Sequence, residues 1–182
     1  MQLQWAHAVV YVHDMDLMLD FYAKILGFEV TDRGPMAENA PDIVFLSQVP
    51  TDHHQLAFVQ TRNTVEPSNS VNHFAFRVAE LADVRKMIEL LGADGRASAL
   101  NPMCHGNAWS IYFQDPECNG IEVFCDTPFH VAQPQGKTWD PLLSDADLMT
   151  WTEENFGAEP GFGPIDEFYA KRAQELSTRD GV

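Results

Sequence analysis

The sequence is poor in basic residues. Only 11 Lys and Arg stand against 27 Asp and Glu, which gives a net charge of −16 over 182 residues. A surface this acidic repels phosphate backbones and anionic lipid headgroups, so binding to nucleic acid or to a membrane surface is disfavoured. Long hydrophobic runs are missing as well, because no apolar stretch approaches the roughly 20 residues that span a bilayer. We therefore expect no nucleic-acid partner and no membrane association.

Cysteine is also scarce, with Cys104, Cys118 and Cys125 alone. Their number is odd, and their spacings match no zinc knuckle. The first residues, Met1-Gln-Leu-Gln-Trp5, lack the basic residues and the apolar run of a secretory signal. Reduced thiols together with the missing signal predict a cytoplasmic protein.

What the sequence does contain is an internal repeat. His7-Ala-Val-Val-Tyr-Val12 resembles His73-Phe-Ala-Phe-Arg-Val78, and both segments have the composition of strands. Each is followed by apolar residues at helical spacing, and we expect the two helices to end at Gly27 and Gly92. Three further strands follow in each half, at residues 28–31, 43–47 and 55–60 and at residues 97–100, 109–113 and 121–125.

This pattern predicts an α+β fold. Two βαβββ modules, about residues 1–66 and 67–126, should form one cupped mixed sheet of eight strands in a domain that spans residues 1–126. A single module would leave one sheet face bare, so the two should pack together. Residues 127–182 break the repeat. There we expect a proline-rich extended segment, the strap, at residues 127–141. Helices that pack on the domain should follow it, with Ser144 as the first helix N-cap.

Three polar side chains lie within or at the start of strand segments that are otherwise mostly apolar. His7 and His73 occupy the first strand of each module, and Glu122 occupies the last strand of the second. The offset of 66 between the two histidines also aligns the last strands, and it pairs Leu56 with Glu122. If the modules enclose a cavity, two histidines and one carboxylate can converge on a cation, a ligand set that suits Fe(II) and oxygen chemistry. The alternatives are half-exposed histidines bonded to neighbours and a Glu122 that faces water.

Three further residues are candidates for a site. His54 shares its strand parity with Leu56, so we expect it to face inward. Tyr112 lies in the strand at 109–113 and His105 in the loop before it. Their ordinary interpretations are a loop histidine for His54, a core tyrosine with a satisfied hydroxyl, and a surface histidine for His105.

These motifs resemble the vicinal oxygen chelate superfamily, which includes glyoxalase I, resistance proteins and dioxygenases. They are most similar to the catalytic half of the type I extradiol dioxygenases. The similar segments are His53-His-Gln-Leu-Ala57, His73-Phe74, Ser110-Ile-Tyr112, and a Glu122 that lies ten residues beyond Tyr112. The turn Asp115-Pro-Glu-Cys-Asn-Gly120 resembles a family turn in which glycine is usual at the place of Cys118. The resemblance covers about residues 4–126.

The resemblance implies a metal-dependent oxidoreductase. Its ion would be Fe(II), or Mn(II) in some members, held by His7, His73 and Glu122. Its small-molecule partners would be a catecholic substrate and O₂, and the ring would open next to the diol. Many relatives associate, so a homo-oligomer is expected.

The resemblance also assigns roles near the metal. His54 would be the acid/base group, and Tyr112 would hydrogen-bond a substrate oxygen. The family has another active-site histidine nine residues before the tyrosine, where this sequence has Met103, so His105 is the nearest replacement. The non-catalytic N-terminal half of the two-domain members has no counterpart in this sequence.

Two other functions within the superfamily are alternatives to a dioxygenase. A glyoxalase-like lyase or isomerase needs a fourth ligand from the last strand of the first module, where Leu56 cannot ligate. A metal-free binding protein of the bleomycin-resistance type would sequester a ligand in an apolar cleft, and the three candidate ligands argue against it.

Overall fold

The computed structural model describes residues 3–68 and 70–179, and within them each half of the repeat folds as a βαβββ module. The first module contains β1 (Ala8–Val12), α1 (Met15–Lys24), β2 (Glu29–Pro35), β3 (Asp42–Ser47) and β4 (Leu56–Gln60). The second contains β5 (Phe74–Arg77), α2 (Leu81–Asp94), β6 (Ser98–Cys104), β7 (Ala108–Gln114) and β8 (Gly120–Asp126). The remaining elements are β9 (Phe129–His130), β10 (Lys137–Thr138), α3 (Asp145–Phe156), β11 (Gly163–Pro164) and α4 (Ile165–Arg179). The predicted α+β fold is therefore confirmed.

The two modules have the same strand order. The first sheet runs β1-β4-β3-β2, and the second runs β10-β6-β7-β8-β5, which is the same order with one added edge strand. In each, the first and last strands of the module pair in parallel. Among the described strands the hydrogen bonding gives separate sheets for the two modules, and not the single continuous sheet expected from the sequence. The four strands of each module therefore pair only with one another, apart from the edge strand β10 that the tail adds to the second sheet.

Helix α1 ends at Lys24, shortly before the glycine predicted to stop it. The Asp14 side chain accepts a hydrogen bond from the Leu17 N–H at the N-terminus, and Gly27 adopts a positive φ of 75° after the last turn. The buried face of the helix packs on β4, where Tyr22 meets the Phe58 ring edge-on at 4.8 Å between centroids. This helix covers one face of the first sheet.

The predicted end of α2 at Gly92 is wrong. The helix continues through Gly92 to Asp94, and the residue with positive φ is Gly95. Gly92 lies on an exposed face with nothing near the position of a Cβ, so the helix tolerates it at the usual cost of a helical glycine.

The chain divides into two compact units. Unit 1 comprises the chain up to Asn72 with Asp94–Ser98 and Gln114–Gly120, and unit 2 comprises His73–Ala93, Ala99–Phe113 and the chain from Ile121 onwards. Unit 1 thus includes the turn between β7 and β8, although this turn belongs to the second module by its place in the repeat.

That turn supplies two buried carboxyl groups to unit 1. Glu117 is 1% exposed and accepts hydrogen bonds from the backbone N–H groups of His13 and Asp14, at the start of α1. Asp115 accepts one from the Tyr22 hydroxyl at 3.1 Å, and burial raises the pKa of both groups of that pair. Cys118 has a φ of 63°, the left-handed conformation that favours glycine. The turn is a structural support for α1.

The C-terminal tail, residues 127–179 as described, contributes to the second sheet. Strand β10 pairs antiparallel with β6, so part of the tail is a fifth strand and not only a covering layer. Ser144 is the N-cap of α3 as predicted, since its side chain accepts from the Asp147 N–H. The Trp109 indole donates to the Thr152 hydroxyl at 3.0 Å, which ties α3 to β7. No helix in the described part of the chain is both long and apolar enough to cross a bilayer.

Gly106, in the turn between β6 and β7, is expected to be intolerant of any side chain. Its φ is 79°, and a Cβ would lie 2.5 Å from Val131 Cγ1 and 3.2 Å from the Phe156 ring, both fully buried. We expect Gly106→Ala to lower the free energy of unfolding by about 3 kcal/mol, from left-handed strain and overpacking. Thermal unfolding checks this, with Gly92→Ala as the matched control. The control should be neutral or stabilising by about 0.5–1 kcal/mol. Equal melting temperatures for the two variants would contradict the expectation.

Candidate active site

The first group of candidate residues lies on one face of the sheet in unit 2. In the parallel β5–β8 pair, Ala75 is the register partner of Glu122. His73 immediately precedes β5, and its Nε2 lies close to the Glu122 carboxylate. Ser110 and Tyr112 are also two residues apart, so they share one face of the neighbouring strand β7. The sheet therefore brings side chains from three strands together.

Glu122 is the centre of this group. Its side chain is buried, with the residue 7% exposed, which excludes the alternative in which it faces water. Oε1 accepts a hydrogen bond from Ser110 Oγ at 2.6 Å, and Oε2 lies 3.2 Å from His73 Nε2. A buried carboxylate is costly unless such partners compensate it.

Tyr112 is held as a neutral hydroxyl. Burial, followed by a hydrogen bond to Glu122 and the negative charge of that carboxylate, raises the pKa of Tyr112 well above its usual value. Its ring also meets the His73 ring edge-on, at 5.2 Å between centroids. Tyr112 is therefore a hydrogen-bond donor next to the predicted ligands.

His105 joins this group although it lies two residues from the position that the family pattern specifies. Its Nε2 lies 3.0 Å from the Tyr112 hydroxyl oxygen and 3.9 Å from Glu122 Oε1. The register position, Met103, lies near the strap, where its sulfur would contact a Cβ added at Gly136. The turn between β6 and β7 thus places His105, and not residue 103, beside the tyrosine.

The second group of candidate residues belongs to unit 1. The rings of His7 and His54 lie 4.2 Å apart, and Phe45 contacts the His54 ring edge-on. His54 Nδ1 is 2.9 Å from Nδ1 of His53, so one of these two nitrogens carries the shared proton. Partial burial, and then the positive charges of His7 and His53 when protonated, lower the pKa of His54. His54 is therefore held neutral, with a nitrogen able to accept a proton.

The strand parity predicted for His54 is wrong, although the residue does reach His7. Strand β4 begins only at Leu56, so His54 lies in the bend before it and strand alternation does not apply there. Leu56 itself is buried on the same side as Phe58, which packs on α1. The bend, and not the parity, turns the His54 ring toward His7.

The predicted pairing of Leu56 with Glu122 is also wrong by one residue. Val9 corresponds to Ala75 by the offset of 66, and its register partner on β4 is Ala57. The chain between the paired strands is one residue shorter in the second module, so Ala57 is the counterpart of Glu122. A methyl group cannot ligate a metal. The nearby Gln55 amide oxygen already accepts from the Gln48 N–H at 2.9 Å.

The sequence analysis does not predict two groups that contact the candidate site residues. The Ser110 hydroxyl was part of a recognised motif, and its hydrogen bond to Glu122 could have been expected from the adjacent strands. The backbone carbonyl of Gln135 lies 2.5 Å from His105 Nδ1. No sequence signal indicates this contact, because the acceptor is a main-chain atom 30 residues away.

The donor set of unit 2 fits a divalent metal ion in part. In an octahedral site with bonds of about 2.1 Å, neighbouring ligand atoms lie about 3 Å apart. His73 Nε2 and Glu122 Oε2 lie 3.2 Å apart, as two ligands of one ion would. Within residues 3–68 and 70–179, no group of three or more His, Cys, Asp and Glu side chains is arranged to hold an ion. The third predicted ligand, His7, belongs to unit 1.

The chain belongs to the glyoxalase/bleomycin resistance protein/dioxygenase superfamily, whose model matches residues 4–123. It is 26% identical over 166 residues to biphenyl-2,3-diol 1,2-dioxygenase 2 from Rhodococcus globerulus, an alignment that covers 82% of this chain and 83% of that protein. It is 23% identical over 139 residues to metapyrocatechase from Pseudomonas sp. (strain CF600), which covers 75% of this chain but only 44% of the relative.

Solved structures share the fold. The fosfomycin resistance protein FosX from Listeria monocytogenes, in complex with Mn(II) and sulfate, matches with a TM-score of 0.55 at 20% identity, over 70% of this chain and 95% of that one. A glyoxalase/bleomycin resistance protein/dioxygenase domain from Frankia sp. EAN1pec gives 0.59 at 17% identity, over 70% and 94%. Glyoxalase I from Leishmania major gives 0.53 at 19% identity, over 68% and 87%. At these identities the matches establish the architecture.

Proposed function

We propose that the protein is an extradiol dioxygenase that opens the ring of a catecholic substrate with O₂. The observation that carries the proposal is the group on the second sheet, where Glu122 pairs with His73 at 3.2 Å and Tyr112 lies beside both. The names of the similar curated proteins agree with this chemistry. That the chain also forms a homo-oligomer and works in the cytoplasm stays a prediction.

The proposed metal ligands are His7, His73 and Glu122. Two imidazoles and one carboxylate suit Fe(II), and oxygen and nitrogen donors also accept Mn(II). When bound, the ion would hold the substrate oxygens and O₂ in adjacent positions and so bring the reactants together. The carboxylate of Glu122 would offset part of the charge of the cation, and Ser110 would orient it through the 2.6 Å hydrogen bond.

The remaining residues would act on the substrate and its protons. Tyr112, held as a neutral hydroxyl by burial and by Glu122, would hydrogen-bond a substrate oxygen. His54, with its lowered pKa, would accept and return a proton as the acid/base group. His105 would act beside Tyr112, with which it shares a hydrogen bond.

A glyoxalase-like reaction is not favoured by the register of the first sheet. A fourth protein ligand would come from the residue equivalent to Glu122, which is Ala57. The chain offers only a methyl group there.

Metal analysis and oxygen uptake test the proposal together. We expect the anaerobically purified protein to contain near-stoichiometric iron or manganese. It should consume one O₂ per molecule of diol and release a ring-opened product, which is a semialdehyde from catechol and a phenyl ketone from biphenyl-2,3-diol cleaved at the 1,2 bond. A metal-loaded protein that consumes no O₂ with any diol would contradict the dioxygenase proposal and favour another metal-dependent reaction of the superfamily. A protein that binds no metal would favour a ligand-binding function.

A further inference from the structure

The strap, residues 127–141, encloses the turn that carries His105. Thr127 Oγ1 donates to the Gly106 carbonyl at 2.6 Å, and β10 pairs Lys137 with Cys104 on the other side of the turn. The Trp139 indole, almost fully buried, donates to the Ser110 carbonyl at 3.0 Å. The turn between β6 and β7 is therefore fixed by the strap at both ends.

One strap contact indicates which ring nitrogen of His105 carries a proton. The Gln135 carbonyl lies 2.5 Å from His105 Nδ1. A carbonyl oxygen can only accept a hydrogen bond, so Nδ1 must carry a proton. In a neutral imidazole the other nitrogen then has a free lone pair. That nitrogen, Nε2, lies 3.0 Å from the Tyr112 hydroxyl oxygen, so it offers this hydroxyl a second acceptor besides the Glu122 carboxylate.

The side chain of Gln133 holds this carbonyl in place. Its Nε2 donates to the His105 carbonyl at 2.8 Å, and its Oε1 accepts from the Gln135 N–H at 2.9 Å. One exposed amide thus connects the main chain of His105 to the main chain of the residue that contacts its ring. Removing the amide frees both connections while leaving every side chain of the candidate site unchanged.

We propose that the strap is a working part of the candidate active site, in which the Gln135 carbonyl is a positioning group that fixes His105 as the Nδ1–H tautomer. The strap thereby presents Nε2 of His105 as a hydrogen-bond acceptor to Tyr112. The consequence for turnover rests on the proposed dioxygenase function, whereas the tautomer itself does not. The C-terminal tail then has a role besides covering the sheet, because it determines which nitrogen of His105 faces the Tyr112 hydroxyl beside Glu122.

The tautomer can be observed directly by ¹⁵N NMR of the histidine rings. The full chain is labelled with ¹⁵N-histidine and prepared with a chelator, so that no paramagnetic ion broadens the signals, and His105 is assigned by its loss in His105→Asn. At a pH where the ring is neutral, we expect a protonated Nδ1 and an unprotonated Nε2. A neutral ring protonated at Nε2 in the unmodified chain would overturn the proposal.

Gln133→Ala tests how the tautomer is held. We expect this variant to populate both tautomers, so that the two ring nitrogens of His105 approach each other in chemical shift. The matched control is Gln60→Ala, which also removes an exposed amide that donates to a histidine carbonyl, that of His13 at 2.9 Å. The control should keep the original pattern. A Gln133→Ala spectrum identical to that of the unmodified chain would count against the proposal, and the direct measurement decides it if this variant does not fold.

The same variants separate the tautomer from the function. In catechol-dependent oxygen uptake, Gln133→Ala should lower kcat by about 2–10-fold, the effect of one net hydrogen bond, with little change in KM. Gln60→Ala should not change kcat. If the chain shows the expected tautomer but consumes no O₂ with any diol, the proposed function fails and the assignment of the strap stands. If it turns over catechol with Nε2 protonated in the neutral ring, the strap proposal fails alone.

Discussion

Glu122→Gln is expected to abolish metal binding under conditions where the unmodified chain is fully loaded. The substitution keeps the shape of the side chain but removes the charge that offsets a divalent cation. Loss of a partner that only orients a ligand typically lowers metal affinity about 10–100-fold, so loss of a ligand charge should lower it by more than about 100-fold. Metal stoichiometry after anaerobic loading measures this effect.

Thermal unfolding gives an independent readout of the same variant. Added Fe(II) or Mn(II) should raise the melting temperature of the unmodified chain, because an ion that binds only the folded state stabilises it. The Glu122→Gln variant should show no such rise. Its metal-free form should be at least as stable as the unmodified one, since a neutral amide costs less to bury than a carboxylate.

Glu117 offers a matched control for Glu122. It is also a buried glutamate, but its carboxylate caps the start of α1 and lies 3.8 Å from the guanidinium of Arg62. We expect Glu117→Gln to lower stability and to leave metal stoichiometry unchanged. Full metal occupancy in Glu122→Gln, or equal metal loss in both variants, would remove Glu122 from the proposed ligand set.

His54→Gln is expected to slow turnover while the metal remains bound. Loss of a positioned acid/base group typically lowers the rate by about 10²–10⁴-fold. The His54 ring lies beside His7 at 4.2 Å between centroids, near the proposed ligand, and its lowered pKa keeps it neutral and able to accept a proton. Metal content and catechol-dependent oxygen uptake should be measured on the same preparation.

The combination of the two measurements distinguishes the roles open to His54. A ligand would lose metal and rate together, and a loop histidine would lose neither. His13→Gln is the control, because His13 is an exposed histidine of the same unit whose described contacts involve its main chain. It should match the unmodified chain in both measurements. Only full metal with slow uptake in His54→Gln agrees with the acid/base role.

Short-range patterns explain which features could be predicted. The N-cap at Ser144, the alternation of the strands and the repeat of His7 at His73 are all set by neighbouring residues. The sequence therefore predicted every element of both modules to within a few residues. The end of α2 was misplaced because a glycine can lie inside a helix at modest cost, and only its φ distinguishes Gly92 from Gly95.

Register and main-chain contacts could not be predicted in the same way. A difference of one residue between the paired strands places Ala57, and not Leu56, opposite Val9, and it reverses which side chain faces which layer. His54 reaches His7 through a bend that strand periodicity does not describe. These features depend on how the chain between the strands is accommodated, which no local pattern encodes.

The sequence by itself determined the repeated α+β modules, the acidic charge and the residue types of the candidate site, because each depends on composition or on short spacing. Only the tertiary structure decided that Glu122 is buried against His73 and Ser110, and that His105 takes the place beside Tyr112. It alone showed that a strap carbonyl lies 2.5 Å from Nδ1 of His105. The physical reason is that a buried charge and a histidine tautomer are set by their partners in space, and these partners come from strands and a strap far apart in the chain.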